Sequence, residues 1–101
     1  MEIFLLKQEI NRDYGTYNSV VVIAENEEEA RKIHPSRFVT HVSNNEWMGT
    51  FSMGQNKGVE YRTWDNKWVR FDQIGELIVT HVGTATAEQK KGVLLSSFNA
   101  G

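Results

Sequence analysis

The apolar residues of this chain fall in short, dense runs separated by polar stretches with turn chemistry. The run Val20-Val21-Val22-Ile23 is β-branched throughout, so both faces of the strand it predicts are apolar, the pattern of a central strand covered on each side. At Asn26 the period changes. An asparagine there can cap a free helical N–H, and Glu29, three residues on, can reach back as in a capping box. A helix is therefore predicted from about Glu27, with Pro35 as its stop. Glu27/Arg31 and Glu28/Lys32 are i,i+4 pairs of favourable orientation, and Arg31, Lys32 and His34 lie toward the negative end of the helix dipole. Two turns are too few to stand alone in water, so Ala30 and Ile33 have to pack on the sheet.

Ile3 to Leu6 predicts a second strand with both faces apolar, and the polar stretch from Asn11 to Thr16 predicts the loop joining it to the Val20 strand as an antiparallel hairpin. After the helix, residues 37–43 predict a short strand, Asn44-Asn45 a turn, and 47–51 a further apolar segment. Residues 52–58, with two glycines and little apolar content, predict an irregular loop suited to act as a lid. Residues 59–64 and 67–71 read as a second hairpin turning at Asp65-Asn66. That pairing would set Trp64 opposite Lys67, Thr63 opposite Trp68 and Tyr61 opposite Arg70. Residues 72–75 predict a bend or one helical turn, 76–82 a strand ended by Gly83, and 93–98 a last strand opened by Gly92. The sum is an α+β fold in one domain over 1–101: a mainly antiparallel sheet of about four core strands, one short helix packed on it, and an inserted Trp-rich β-hairpin.

Composition narrows the function classes. A chain of 101 residues, 40% of them apolar, supports one core. A net charge of −2 and a pI near 5.9 provide no basic face for gripping phosphates, which disfavours nucleic acid as a partner. The absence of cysteine excludes disulfides, thiol nucleophiles and cysteine-ligated metals, and agrees with an intracellular life. Met1-Glu2-Ile3 has no signal-peptide character and no run approaches the roughly 20 apolar residues that span a bilayer, so a cytoplasmic protein with no membrane partner is expected.

Chemistry is sparse. His34, His41 and His81 lie in different predicted elements without metal-ligand spacing, so no metal is assigned. There is no GxSxG elbow, Gly49, Gly54 and Gly58 do not form a phosphate loop, and Asp13, Glu60, Asp65, Asp72 and Glu76 have no acid/base spacing. No catalytic residue or cofactor is assigned, and the chain reads as a binding protein rather than an enzyme. Between residues 47 and 71, Trp47, Trp64 and Trp68 gather with Phe51, Tyr61 and Phe71, interleaved with Lys57, Arg62, Lys67 and Arg70. These aromatics form either a small second core or a stacking and charge-pairing surface for a nucleotide-like ligand or a protein partner. The binding candidates are Trp47, Arg62, Trp64, Lys67 and Trp68, with Tyr14 beside Gly15 at the hairpin tip and Ser97-Phe98-Asn99 as secondary candidates. A small domain rarely encloses a ligand by itself, so a ligand reading favours a homo-oligomer with sites between subunits.

Three segments together resemble a group of short proteins encoded by bacteriophages and prophages: 19–24 with Glu28-Glu29-Ala30-Arg31 and Ile33-His34-Pro35, then Trp47-Met48-Gly49-Thr50, then 92–101 with its ending Ser-Phe-Asn-Ala-Gly. The resemblance spans most of the chain and implies phage origin and expression in a bacterial cytoplasm. It brings no catalytic residues. Phage accessory proteins of this size commonly interfere with host machinery, so the expected function is inhibition of a bacterial anti-phage defence system by sequestering a small anionic, nucleotide-type signal. The alternatives are direct blocking of a host defence protein and a small enzyme that degrades the signal.

Overall fold

The computed structural model describes residues 1–12, 15–63, 67–86 and 88–99, with side chains as far as Ser97. β1 (Glu2–Lys7) and β2 (Thr16–Ala24) form the expected antiparallel hairpin, in the register Phe4↔Val22 and Leu6↔Val20. That register places Phe4, Leu6, Val20 and Val22 on one face, all buried. The loop between the strands is held by Gln8. Its amide is buried, donates from Nε2 to the carbonyls of Tyr17 (2.8 Å) and Asn11, and accepts at Oε1 from the N–H groups of Ile10 (3.0 Å) and Asn11 (2.7 Å).

β6 (Ile78–Thr84) pairs with β1, and β7 (Gly92–Asn99) pairs with β2, both antiparallel. The strand order is β6-β1-β2-β7, so the N-terminal hairpin is the centre of the sheet. Gly83 lies inside β6 rather than ending it.

α1 (Glu27–Ala30) begins where its cap predicts, since Asn26 Oδ1 accepts the Glu29 N–H at 2.9 Å. The Glu29 carboxylate reaches back one residue further than the capping box, to the Glu25 N–H (3.2 Å). The α-helix is shorter than expected. It passes at once into tighter i→i+3 bonds, from the Lys32 N–H to the Glu29 carbonyl and from the Ile33 N–H to the Ala30 carbonyl, well before Pro35. Both predicted ion pairs form, Arg31–Glu27 at 3.1 Å and Lys32–Glu28 at 3.7 Å. Arg31 also reaches across the fold, where its Nη1 donates to the carbonyls of Ile74 (2.7 Å) and Leu77 (2.9 Å) and ties α1 to the 3-10 helix Phe71–Glu76.

A second sheet, of order β3-β4-β5, lies between α1 and the 3-10 helix in sequence: β3 (His41–Ser43), β4 (Glu46–Thr50) and β5 (Glu60–Arg62). Asn44 and Asn45 join β3 to β4 with φ of 54° and 59°, the left-handed pair of a two-residue type I′ turn. The fold is α+β and mainly sheet, as the pattern predicts, and β4 and β5 supply an inserted hairpin. Among the described residues the predicted pairing of 59–64 with 67–71 does not occur: β5 pairs with β4, through Met48↔Arg62 and Thr50↔Glu60, and 67–71 form no strand. Thr63 turns to the Trp47 carbonyl instead, with Oγ1 at 2.8 Å, and the Lys67 carbonyl accepts the Tyr17 N–H at 2.7 Å. The Asp65-Asn66 turn lies outside the described residues.

One core joins these parts. Phe4, Leu6, Val20, Val22 and Ala24 of the large sheet pack against Ala30, Trp47, Trp68, Val69 and Leu77, with Ile33, Val42, Phe71 and Ile74 around them. Central strands apolar on both faces led to the expectation of cover on each side. The main core lies on one side, where Val20 and Val22 are 1% and 0% exposed; the other side is covered unevenly, with Ile23 at 3% exposure and Val21, Leu5 and Ile3 partly buried, while Leu95 of β7 stands exposed.

Candidate functional site

Beyond Ile33 the chain turns across the edge of the core and delivers residues 34–42 alongside the start of β7. Between them opens a cleft of about 680 Å³, lined by the 32–37 and 39–42 segment, by Trp47 of β4, and by Lys91, Gly92 and Val93. Local chemistry builds its floor. The His34 ring is buried, accepts the Ser36 N–H at Nδ1 (2.9 Å), and meets Trp47 edge to face at 5.1 Å. Trp47 is fixed in turn by donating from Nε1 to the Val69 carbonyl (3.0 Å) and by an edge-to-face contact with Phe71 at 5.3 Å.

The lining carries Lys32, Arg37, Lys91 and the two histidines His34 and His41, and no carboxylate among the described residues. The acids that balance them stand outside the lining. Lys91 Nζ lies 2.7 Å from Glu29, Lys32 pairs with Glu28, and His41 Nε2 meets Glu60. The hydrogen bond from Lys91 holds the Glu29 carboxyl below its usual range, against desolvation and with help from the Lys91 charge, the Glu25 N–H and the Lys32 charge. Arg37, an exposed residue of the lining, spreads its guanidinium over the Phe38 ring at 5.1 Å. Apolar wall comes from Ile33, Pro35, Val39, Val42 and Val93. A cleft with cations at its mouth and an apolar interior suits a small anion that also carries an uncharged body.

Only one of the sequence-predicted binding residues belongs to this cleft. Trp47 lines it, but at 6% exposure it serves as floor and offers no free ring face. Trp68 is a core residue at 2%, its indole N–H buried without a hydrogen-bond partner among the described residues, so the aromatic surface expected there is not built from Trp47 and Trp68. Arg62 lies on the exposed side of the small sheet, paired with Glu46 at 3.0 Å. The Lys67 side chain is exposed, away from the cleft lining. Tyr14 and Trp64 lie outside the described residues, and Ser97 belongs to the sheet through its pairing with Ser19. The 52–58 loop, read as a lid, is the exposed connection of β4 and β5 and contributes nothing to the cleft.

The cleft cations come instead from two basic clusters, Arg31-Lys32 with His34 and Arg37, and Lys90-Lys91 before Gly92. In the sequence Arg31, Lys32 and His34 fall at the helix end and Arg37 in the strand predicted after it, which does not group them as a site. The two clusters are far apart in the chain and come together only through the β2–β7 pairing. Among the described residues, no group of three or more His, Asp or Glu could hold a metal ion, and no helix is long and apolar enough to cross a membrane.

The fold and site thus define a two-sheet α+β protein with a cation-rimmed cleft at the junction of its sheets. No family model, curated protein or solved structure matches the chain.

Proposed function

We propose that this chain is a non-catalytic phage accessory protein that works in the bacterial cytoplasm, inhibiting an anti-phage defence system by sequestering a small nucleotide-type signal in the cleft beside His34 and Trp47. The observation that carries this reading is the cleft's charge and size. Lys32, Arg37 and Lys91 converge on a space of about 680 Å³ whose lining has no carboxylate among the described residues. That volume lies in the range of small-molecule sites, roughly 300–1,000 Å³. Arg37 offers the bidentate fork that phosphate favours, Lys32 and Lys91 add point charges, and the aliphatic wall takes a base or ribose by burial rather than by stacking. Phage origin rests on the resemblance of the sequence segments.

Exposed Phe51, Met53 and Val59 at the far end of the small sheet favour a second reading, direct contact with a host defence protein. Calorimetry with ADP and a panel of cyclic dinucleotides separates the two. Binding that falls at least about tenfold in an Arg37→Ala/Lys91→Ala double variant with an unchanged melting temperature supports sequestration; tenfold corresponds to about 1.4 kcal/mol. Recovery of the nucleotide intact after denaturation excludes turnover. No heat with any nucleotide, together with a host protein lost on Met53→Asp, transfers the function to protein blocking.

A further inference from the structure

The first turn of α1 holds the two lysines of the cleft in different ways. Lys32 meets Glu28 within the helix at 3.7 Å, and with the Glu28 side chain 82% exposed neither group is held firmly. Lys91 comes from the opposite wall, 62 residues further along the chain, and its Nζ stands 2.7 Å from Glu29 Oε1. Glu29 is not free to follow that lysine. Its Oε2 accepts the Glu25 N–H at 3.2 Å while its own N–H is capped by Asn26 Oδ1 at 2.9 Å, so the helix start fixes the carboxylate in place. Lys91, in contrast, precedes the β7 ladder and carries its charge on a flexible four-carbon stem. α1 packs on β1 and β2, and this ion pair adds a tie to the start of β7.

Taking the cleft as the anion site argued above, we propose that Glu29 is its built-in competitor: the carboxylate occupies Lys91, and a phosphate group gains that lysine only by displacing it. An ammonium bridges two anions only by bringing their charges together, so a phosphate and Glu29 compete for Lys91. The displaced carboxylate stays where the cap holds it and repels the bound anion, which sets a threshold that ligand affinity has to exceed. Arg37 lies against the Phe38 ring with no carboxylate partner among the described residues, and is the cleft cation available without such an exchange. The depressed Glu29 carboxyl agrees with this role, since the group stays charged, and so competes, at pH values where an ordinary glutamate is already protonated.

The effect is graded rather than absolute. An exposed ion pair is worth up to about fivefold in an equilibrium constant, and that is the range in which removing the competitor acts.

The test has two arms on the full chain. In the first, carboxyl-detected NMR follows the Glu29 titration in sodium sulfate and in sodium chloride at equal ionic strength; sulfate binds through charge alone and presupposes no nucleotide. Sulfate is expected to raise the Glu29 midpoint toward 4.5 beyond anything chloride does, because it draws Lys91 away. In the second, calorimetry with ADP at neutral pH compares variants. Glu29→Gln keeps an oxygen for the Glu25 N–H and binds ADP up to about fivefold more tightly than the wild type. Adding Lys91→Met cancels that gain, and Glu27→Gln, whose partner Arg31 is not part of the lining, binds as the wild type does. The proposal is overturned by a Glu29 midpoint that the two salts move equally, by a Glu29→Gln variant that binds ADP no more tightly than a wild type that does bind it, or by a gain that survives Lys91→Met. No heat with ADP, together with a Glu29 midpoint raised by sulfate, keeps Glu29 as the competitor in an anion site and overturns the nucleotide reading instead.

Discussion

The two sheets share a core but are held by different forces. In the large sheet, β1 and β2 form a ladder of six consecutive pairs whose four inner pairs, Ile3↔Ile23 to Leu6↔Val20, are all apolar, and the interior residues Leu6, Val20 and Val22 are sealed from water. In the small sheet the strands are three to five residues long, and much of the side-chain pairing is polar and exposed: Arg62 with Glu46, His41 with Glu60, Thr40 with Thr50. Its hold on the core runs through Trp47 and Val42. Burial of apolar area is strong and is not screened by salt, whereas exposed ion pairs are screened and contribute little. The large sheet is therefore the frame and the small one a graft on it, and the cleft lies at their seam.

Substitutions can break that contrast in order of size. Leu6→Ala, at a fully buried position, is expected to lower stability by about 3 kcal/mol, with all probes of urea unfolding shifting together. Separate transitions for the two sheets would show the frame to be independent of the graft. Gly49→Ala comes next, at about 1–3 kcal/mol. A Cβ there would stand 2.5 Å from the Tyr61 ring and 2.6 Å from the Phe38 carbonyl oxygen, which is backbone and cannot swing aside. Hydrogen exchange should rise in β3–β5 and stay unchanged in β1 and β2 in that variant. Uniform acceleration would contradict the graft.

The smallest effect concerns the seam. Because hydrogen bonding to Lys91 depresses the Glu29 carboxyl, the pair's contribution is present above the unfolded-state value, about 4.5, and fades as pH falls through the lower folded-state value. In Lys91→Met, a carboxyl-detected NMR titration should find Glu29 returned toward 4.5, and the acid limb of the stability profile should be slightly shallower. An unmoved Glu29 titration would remove Lys91 as the cause.

What could be read from the sequence follows the same division. The frame is local and repetitive, so runs such as Val20 to Ile23 announce strands, and Asn26 with Glu29 announces a helix start. The small sheet is decided by competition. Residues 67–71 alternate well enough for a strand, but Trp68 and Val69 gain more by entering the core than by pairing with β5. The cleft was hidden because Arg37 and Lys91 are distant in the chain, and nothing local signals that the β2–β7 pairing unites them. Tryptophan content alone left a core and a surface both open, and Trp47 and Trp68 are spent inside.

The strand order β6-β1-β2-β7 also sets a timetable for synthesis. The hairpin of β1 and β2 leaves the ribosome first, yet both strands that flank it come from the last quarter of the chain. Until residues 78–99 have emerged, the hairpin presents two open edges and an apolar face to its surroundings. Such sequence-distant pairing also closes slowly, on the millisecond-to-second scale of non-local β topologies. The nascent chain is thus most exposed to aggregation just before these strands arrive, the moment at which a chaperone that shields edge strands has most to protect.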